Sequence, residues 1–422
     1  MKRLIPQNIK NIYHLIQAIL ANFINGFPSR KIKIIGVTGT NGKTTTVQMI
    51  TKILDESGAK IAVSSTINFK IKEKEWVNAT KFTTLSSFQV QKFIARAVRA
   101  DCEYLILETS SHSLDQFRTW GICYDTVVIT NVTREHLDYH KTIEKYRQAK
   151  LKLFKNVKNV LVNLDMEKPE EFLKCEAEKK YGYSTNEKSK LLFNNYDLQK
   201  VIAEDIELGI DGTKYKIIKT EFKINLPGLF NLENALAASC VGMVYEISLE
   251  VIKKALEKIQ GVPGRMEKVL NNRGLEIIID YAVTPDSLEK VYGLISQSKK
   301  NEAKLISVFG SCGERDRGKR PMMGEIVSCF ADYVIITNED PYNEDPYQII
   351  NEVASGVKNK IKNENFWIIM DRREAIKKAL QLACPGDIFV ITGKGAEEIM
   401  AIGKERINWN DKKIILEELE KM

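Results

Sequence analysis

Residues 34–47 read IIGVTGTNGKTTTV, an apolar run that breaks into glycines and ends on a lysine and three threonines. A strand turning through Gly39 and Gly42 into a helix would close backbone N–H groups around a phosphate. In that geometry Thr40 and Asn41 belong to the loop, Lys43 reaches the β and γ phosphates, and Thr45 lies beside it. Thr44 would offer its hydroxyl to Mg²⁺. Val37 stands where the general pattern has a glycine, and Gly36 lies one residue early.

A second group of reactive side chains follows two further apolar runs. Only four histidines occur in the chain, and His112, His136 and His140 fall together in ETSSH and TNVTREHLDYH. In an open parallel sheet, residues just past the carboxyl ends of strands face the ligand crevice. Glu108 and His136 are therefore candidate ligands for the ion held by Thr44, with Glu108 bridging to a second ion. A third group, TNEDPYNEDP at 337–346, sets four carboxylates after the apolar run YVIIT. Its two prolines stop the strand and hold those carboxylates in a loop.

The elements that must position these residues alternate between β-branched runs and helical-period segments, an α/β pattern. KIKIIGVT, EYLILETS, DTVVITN and NVLVN predict buried parallel strands. A polar stretch near 185–225 predicts a small antiparallel insertion. Past the Gly/Pro cluster GVPGRMEKV, the runs LEIIIDY, KLISVFG, DYVIITN, FWIIM and DIFVITG predict a second sheet. The expected organisation is an apolar helix over 1–30, a P-loop doubly wound domain over 31–261 and a Rossmann-like domain over 262–422.

The 422 residues carry 63 Lys and Arg against 55 Asp and Glu, a formal net charge of +8 spread without a dense block. That balance suits an anionic small substrate. No basic patch is interleaved with aromatics, so no nucleic-acid partner is expected. Seven cysteines are scattered without a C-x-x-C pair, which argues against a zinc ribbon or a disulfide framework and predicts a cytoplasmic location. Residues 12–27, IYHLIQAILANFINGF, are too short and too polar to span a membrane, and no small-residue cleavage site follows. Lys2, Arg3 and Lys10 precede the stretch, and Arg30, Lys31 and Lys33 follow it. It predicts either a helix docked on its own domain or one that contacts a membrane surface or a partner.

Ten stretches in order carry a resemblance: GVTGTNGKTTT, ETSSHSLDQFR, TNVTREHLDYHKTIEKYRQAKLKLF, LPGLFNLENALAA, GVPGRMEKV, DYAVTPDSLEK, CGERDRGKRPMMG, TNEDPYNEDP, DRREAI and GKGAEE. Together they resemble the Mur ligases, and most nearly the branch that adds the third residue to a UDP-N-acetylmuramoyl dipeptide in peptidoglycan synthesis. The resemblance implies an ATP-dependent ligase. A substrate carboxylate takes the γ-phosphoryl group, and an amine then displaces phosphate from the acyl phosphate. It implies ATP contacts at Gly39 through Thr45, at Asn231 and Asn234 near the adenine, at Arg265 on phosphates and at Asp280 on the ribose. It implies Mg²⁺ ligation by Thr44, Glu108 and His136, joined by Lys150 once carbamylated.

For the UDP-linked muramoyl dipeptide the resemblance implies Thr83, Thr84, Ser110, Gln116 and Arg118. For the incoming diamino acid it implies Arg315, Glu339, Asp340, Tyr342, Gly393 and Glu397. Tyr342 stands where members selecting meso-diaminopimelate carry an arginine that grips the distal carboxylate. The expected acceptor is therefore a diamino acid such as lysine, its ammonium groups received by Glu339 and Asp340. Val283 and Ala396 each replace a family histidine. Only about 30 residues precede the first strand, where the family carries a uridine-binding domain, so that domain is expected to be absent. The competing readings are a folylpolyglutamate-type or other related ligase, and a non-catalytic subunit that binds ATP.

Overall fold

The computed structural model describes residues 6–80, 82–209, 211–300 and 302–422. Lys2 and Arg3 lie outside them. The chain divides into two compact units: residues 1–133 with 142–260, and residues 134–141 with 261–422.

In the first unit, helix α1 (Gln7–Asn25) and a short 3₁₀ turn lead into a nine-stranded sheet. Its strands are β1 (Lys33–Thr38), β2 (Ile61–Ser64), β3 (Asn68–Ile71), β4 (Lys74–Val77), β5 (Tyr104–Glu108), β6 (Thr126–Ile129), β7 (Asn159–Asn163), β8 (Lys179–Ser184) and β9 (Gln199–Ile202). Their spatial order is β4-β3-β2-β5-β1-β6-β7-β8-β9, parallel except for the antiparallel β3 and β4. The four predicted strands are β1, β5, β6 and β7, the central ones. They read clearly because a strand covered on both faces has no polar alternation, and β1 is buried from Ile34 to Thr38. Helices α2 (Lys43–Glu56) and α3 (Ser87–Arg99) follow β1 and β4. A capping box at Ser86 and Gln89 starts α3.

The sequence reading passed over β2, β3, β4, β8 and β9. β4 is mostly exposed, and β8 opens on two lysines and contains a glycine, so neither shows an apolar run. The antiparallel insertion is β10 (Glu204–Gly209), β11 (Gly212–Ile217) and β12 (Thr220–Ile224), a meander of its own.

The second unit is a six-stranded sheet, ordered β13-β14-β18-β15-β16-β17. Its strands are β13 (Glu267–Val269), β14 (Glu276–Asp280), β15 (Leu305–Phe309), β16 (Tyr333–Ile336), β17 (Phe366–Ile368) and β18 (Ile388–Thr392). All pair in parallel except β13. The five predicted runs are β14 to β18. A hairpin of β19 (Ile399–Ile402) and β20 (Glu405–Asn408) completes the unit. Two apolar layers cover the sheet, one around Leu288, Tyr292 and Val327, the other around Ala375, Leu380 and Ile415.

Between β18 and the last helix, Arg372 and Asp411 are both buried and joined bidentately, at 2.9 Å from Nε and 2.7 Å from Nη2. Arg372 Nη2 also donates to Thr392 O (2.9 Å), and the Trp409 indole donates to Asp411 (2.8 Å). Removing one member of such a pair strands a buried charge. Asp411→Ala should destabilise the second unit by about 3–5 kcal/mol in chemical denaturation. A shift under about 1 kcal/mol would show that the pair is solvated.

Candidate active site

At the end of β1 the chain turns through Gly39 (φ 154°) and Gly42 (φ 83°) before α2 begins at Lys43. A Cβ at Gly39 would lie 1.8 Å from Thr130 Oγ1, and one at Gly42 would lie 2.2 Å from Asn234 Oδ1. Both positions therefore require glycine. The residues after β6 close the loop from behind. The Thr130 hydroxyl donates to Asn41 O (2.6 Å), and Asn131 accepts from the N–H groups of Thr40 (3.0 Å) and Asn41 (2.9 Å). Lys43 Nζ folds back on the loop, donating to Gly39 O (3.1 Å) and Thr40 O (2.9 Å). The result is a rigid turn with a cation above it at the start of a 14-residue helix, an arrangement that favours an anion.

Behind the loop, the buried Thr44 hydroxyl donates to both Glu108 oxygens (3.0 and 3.2 Å). Thr66 donates to the same carboxylate through its N–H (2.7 Å) and hydroxyl (2.9 Å). The Glu108 carbonyl in turn accepts from Thr84 Oγ1 (3.0 Å), which also takes the Ser110 N–H (2.9 Å). Arg118 Nη1 donates to Thr84 O (2.7 Å), and the hydroxyls of Thr83 and Thr66 lie within hydrogen-bond distance (3.1 Å). Thr83, Thr84, Ser110 and Arg118 thus form one cluster with Glu108. Gln116 caps the short helix after β5 through its backbone. Thr44 and Glu108 supply the oxygen donors that a hard divalent cation takes, so the pair fits Mg²⁺.

Thr45 is buried in α2. Asn234 accepts from the Thr46 hydroxyl (3.2 Å), whereas Asn231 is turned to its own helix start, donating to Pro227 O (2.8 Å). Lys150 is almost fully buried, donates to Gly39 O (2.7 Å) and stands 4.3 Å from the centre of the Tyr146 ring. Burial, and then the neighbouring Lys43 cation, hold the Lys150 ammonium well below the ordinary lysine value. A neutral amine at that position is nucleophilic, as carbamate formation with CO₂ requires.

His136 lies in the 134–141 segment, which groups with the second unit rather than with Thr44 and Glu108. The physical reason is an ion pair: Lys319 Nζ donates to the neighbouring Glu135 at 2.9 Å, with both residues buried, and to Val283 O at 2.8 Å. Burial pushes the Glu135 carboxyl up, and the Lys319 charge opposes that shift. His136 itself takes a left-handed conformation (φ 56°) at the start of this turn.

In the second unit, Asp280 ends β14 and accepts from the N–H groups of Met266 (2.8 Å) and Ala282 (2.7 Å). Burial pushes its carboxyl up, against the nearby Arg265, whose guanidinium stands 4.4 Å from the Tyr281 ring centre. The TNEDPY loop departs from expectation at one residue. Asp340 is not open to a substrate ammonium, because the buried Lys394 ammonium occupies it at 3.1 and 3.0 Å, and Ala401 N–H adds a third bond at 2.7 Å. Lys394 also donates to Glu397 (2.6 Å) and to Ile399 O (2.8 Å). Glu339 differs. Its Oε1 accepts from the Cys312 thiol (2.8 Å), while its buried Oε2 has no partner and faces Gly393, where a Cβ would come within 2.4 Å. Burial, then the Glu339 charge, push the Cys312 thiol well up, so it remains a neutral donor.

Tyr342 takes a left-handed conformation (φ 51°), with Arg315 and Arg406 guanidiniums 5.7 and 5.5 Å from its ring centre. Sequence reasoning missed Thr66, Lys319, Lys394 and Arg406. Thr66 alone left a signal, since it follows a strand beside β5. The partners of the others are set by long-range packing.

A glycine turn between a central parallel strand and a helix, backed by a hydroxyl–carboxylate pair, defines a P-loop nucleotide-binding enzyme. Residues 37–242 match the Mur ligase middle domain, and residues 264–395 match the glutamate ligase domain of Mur ligases. The chain belongs to the Mur ligase family and is an ATP-dependent ligase. It is 39% identical over 403 residues to the UDP-N-acetylmuramoyl-L-alanyl-D-glutamate–2,6-diaminopimelate ligase 1 of Clostridium acetobutylicum, covering 94% of this chain and 80% of that one. It is 36% identical over 415 residues to the UDP-N-acetylmuramyl-tripeptide synthetase of Roseiflexus sp. (93% and 80% covered). A solved UDP-N-acetylmuramoyl-L-alanyl-D-glutamate–2,6-diaminopimelate ligase superposes with TM-score 0.60 at 32% identity, covering 92% and 78%. The Mycobacterium tuberculosis folylpolyglutamate synthase complexed with ADP shares the fold, with TM-score 0.70 at 15% identity, covering 90% and 91%.

The depressed Lys150 value fixes the sign of a stability effect. The unfolded chain binds this proton more readily, so the cost of burying Lys150 grows as the pH falls below the ordinary lysine value. In bicarbonate-free buffer, Lys150→Met should raise the thermal midpoint, more at about pH 6 than at about pH 9. A lowered midpoint at both pH values would contradict the assignment.

Proposed function

We propose that this protein adds a diamino acid to the D-glutamate of UDP-N-acetylmuramoyl-L-alanyl-D-glutamate in peptidoglycan precursor synthesis. The glutamate carboxylate attacks the γ-phosphorus of ATP, giving an acyl phosphate and ADP. The acceptor amine then attacks the acyl carbon, an amide forms and phosphate leaves. Most of the rate in such chemistry comes from positioning and charge stabilisation. Gly39 to Thr45 cradle the ATP phosphates, with Lys43 on the transferred group. In the first unit Asn231 and Asn234, and in the second unit Arg265 and Asp280, are assigned nucleotide contacts. Thr83, Thr84, Ser110, Gln116 and Arg118 orient the dipeptide. Thr44, Glu108 and the carbamate of Lys150, all of the first unit, would hold Mg²⁺, which neutralises phosphoryl charge when bound.

The observation that carries this reading is Glu108. Its carboxylate meets Thr44 of the phosphate loop, and its carbonyl meets Thr84 of the threonine–serine cluster, so one residue joins the donor and acyl subsites.

For the acceptor, Glu339, with one buried oxygen unpartnered, receives an ammonium beside Gly393. Asp340 and Glu397 shape the pocket through Lys394 rather than binding the amine. The guanidiniums on the Tyr342 ring favour an acceptor with a second carboxylate, as 2,6-diaminopimelate has. Several relatives are named for that substrate.

Phosphate release with the UDP-linked dipeptide, ATP and a panel of amines tests both parts. Release should require a diamino acid, with kcat/KM for meso-diaminopimelate above that for lysine. Absence of release with every amine would refute the ligase reading, and a preference for lysine would refute the carboxylate-binding pocket. Arg406→Gln should raise KM for meso-diaminopimelate about tenfold, a loss of about 1.4 kcal/mol, and leave KM for ATP unchanged. An equal effect on both KM values would remove Arg406 from the pocket.

A further inference from the structure

Helix α1 is fixed to the first unit by one face only. Ala18, Ala21 and Asn22 are buried there, and Asn22 Nδ2 donates to Ala18 O (2.9 Å) and Trp120 O (2.8 Å). Gly121 packs so close to Asn22 that a Cβ would lie 2.7 Å from its amide nitrogen. The opposite face carries Ile9, Ile12, Ile16, Leu20, Phe23 and Ile24, each between 50% and 72% exposed. At 3.6 residues per turn these six fall within a third of the helix circumference, a continuous apolar stripe rather than scattered exposure.

The charge in the chain on either side of the stripe has one sign, the carboxylate of Asp115 reaching α1 at Asn11 (3.3 Å), away from the stripe. No Asp or Glu occurs before Asp55, while Lys10 lies in the first turns of α1 and Arg30, Lys31 and Lys33 follow the helix. Arg30 and Lys31 are exposed beyond the helix end, and the Arg30 guanidinium stands 4.9 Å from the ring centre of Phe27, which packs edge-on against Phe23 at 5.1 Å. The apolar stripe thus runs into an aromatic pair and then into cations, the layering an interfacial helix needs at the boundary between acyl chains and headgroups. Among the described residues no helix is long and apolar enough to cross a membrane. A second copy would bring like charges together, whereas anionic headgroups complement them.

We propose that the outward face of α1 seats this protein peripherally on an anionic lipid surface. The stripe inserts among the acyl chains while Arg30 and Lys31 lie at the phosphates. This inference stands apart from the acceptor assignment, since none of its residues serves the ligase reaction.

The test is flotation of the full chain with vesicles of phosphatidylcholine alone or of equal parts phosphatidylcholine and phosphatidylglycerol. Binding should require phosphatidylglycerol and weaken as salt is raised. The double substitution Ile16→Ser with Phe23→Ser should lower partitioning at least about tenfold. Arg30→Gln with Lys31→Gln should lower it on the anionic vesicles. Both variants alter exposed side chains, so their thermal midpoints and soluble phosphate-release rates should match the parent. Absence of parent binding to anionic vesicles overturns the proposal, as does unchanged binding of the serine variant. A parent dimer in sedimentation that the serine variant dissociates would assign the face to a second copy, and a protein partner captured with no vesicle binding would assign it to that partner.

Discussion

The first unit depends on the closeness of the phosphate loop to the strand ends around it. Gly39 lies against Thr130 and Gly42 against Asn234, at separations no side chain tolerates. That contact draws the end of β1, the residues after β6 and the helix containing Asn234 into one layer. Lys43, Thr44 and Lys150 then have little freedom. The buried Lys150 amine donates to the loop carbonyl of Gly39, so loop geometry and lysine position are mutually fixed. Glu108, one strand away, meets the loop through Thr44 and the threonine–serine cluster through its backbone. The chemistry assigned to this unit follows from rigid backbone, with few side-chain torsions left to set.

Buried charge organises the second unit in a different way. Lys394 sits among Asp340, Glu397 and the Ile399 carbonyl, Arg372 holds Asp411, and Lys319 holds Glu135. Arg320 reaches both Glu344 and Glu352. Burying these groups is costly unless each is matched, and in the TNEDPYNEDP loop Asp340 and Glu344 are matched by the protein's own cations while the exposed Asp345 caps the following helix. Glu339 is the exception, with one oxygen taken by a thiol and one open. A loop that reads as an ammonium-binding acidic patch therefore presents one buried carboxylate with an open oxygen, Glu339.

Much of this was legible before any coordinates. The central strands announced themselves because burial on both faces leaves uninterrupted aliphatic runs, and the glycine loop because backbone approach to phosphate leaves almost no choice of residue. Glu108 and His136 are legible because they lie just past such runs, whereas Ser110 is implied only by the resemblance to the Mur ligases. The peripheral strands β4 and β8 were not, since exposure and lysines erase the pattern. Nor was the role of Asp340, whose partner Lys394 lies 54 residues away.

Local spacing alone carries the ten ordered motifs, the phosphate-loop chemistry and the central strands of both sheets, because each depends on residues that are neighbours in the chain. Which carboxylates are occupied, the sharing of Glu108 by Thr66 and Thr44, the reach of Arg406 to Tyr342 and the outward face of α1 emerge only in the folded chain. Those outcomes depend on contacts between residues distant in the chain, and the partner a buried charge finds is set by packing rather than by its neighbours in sequence.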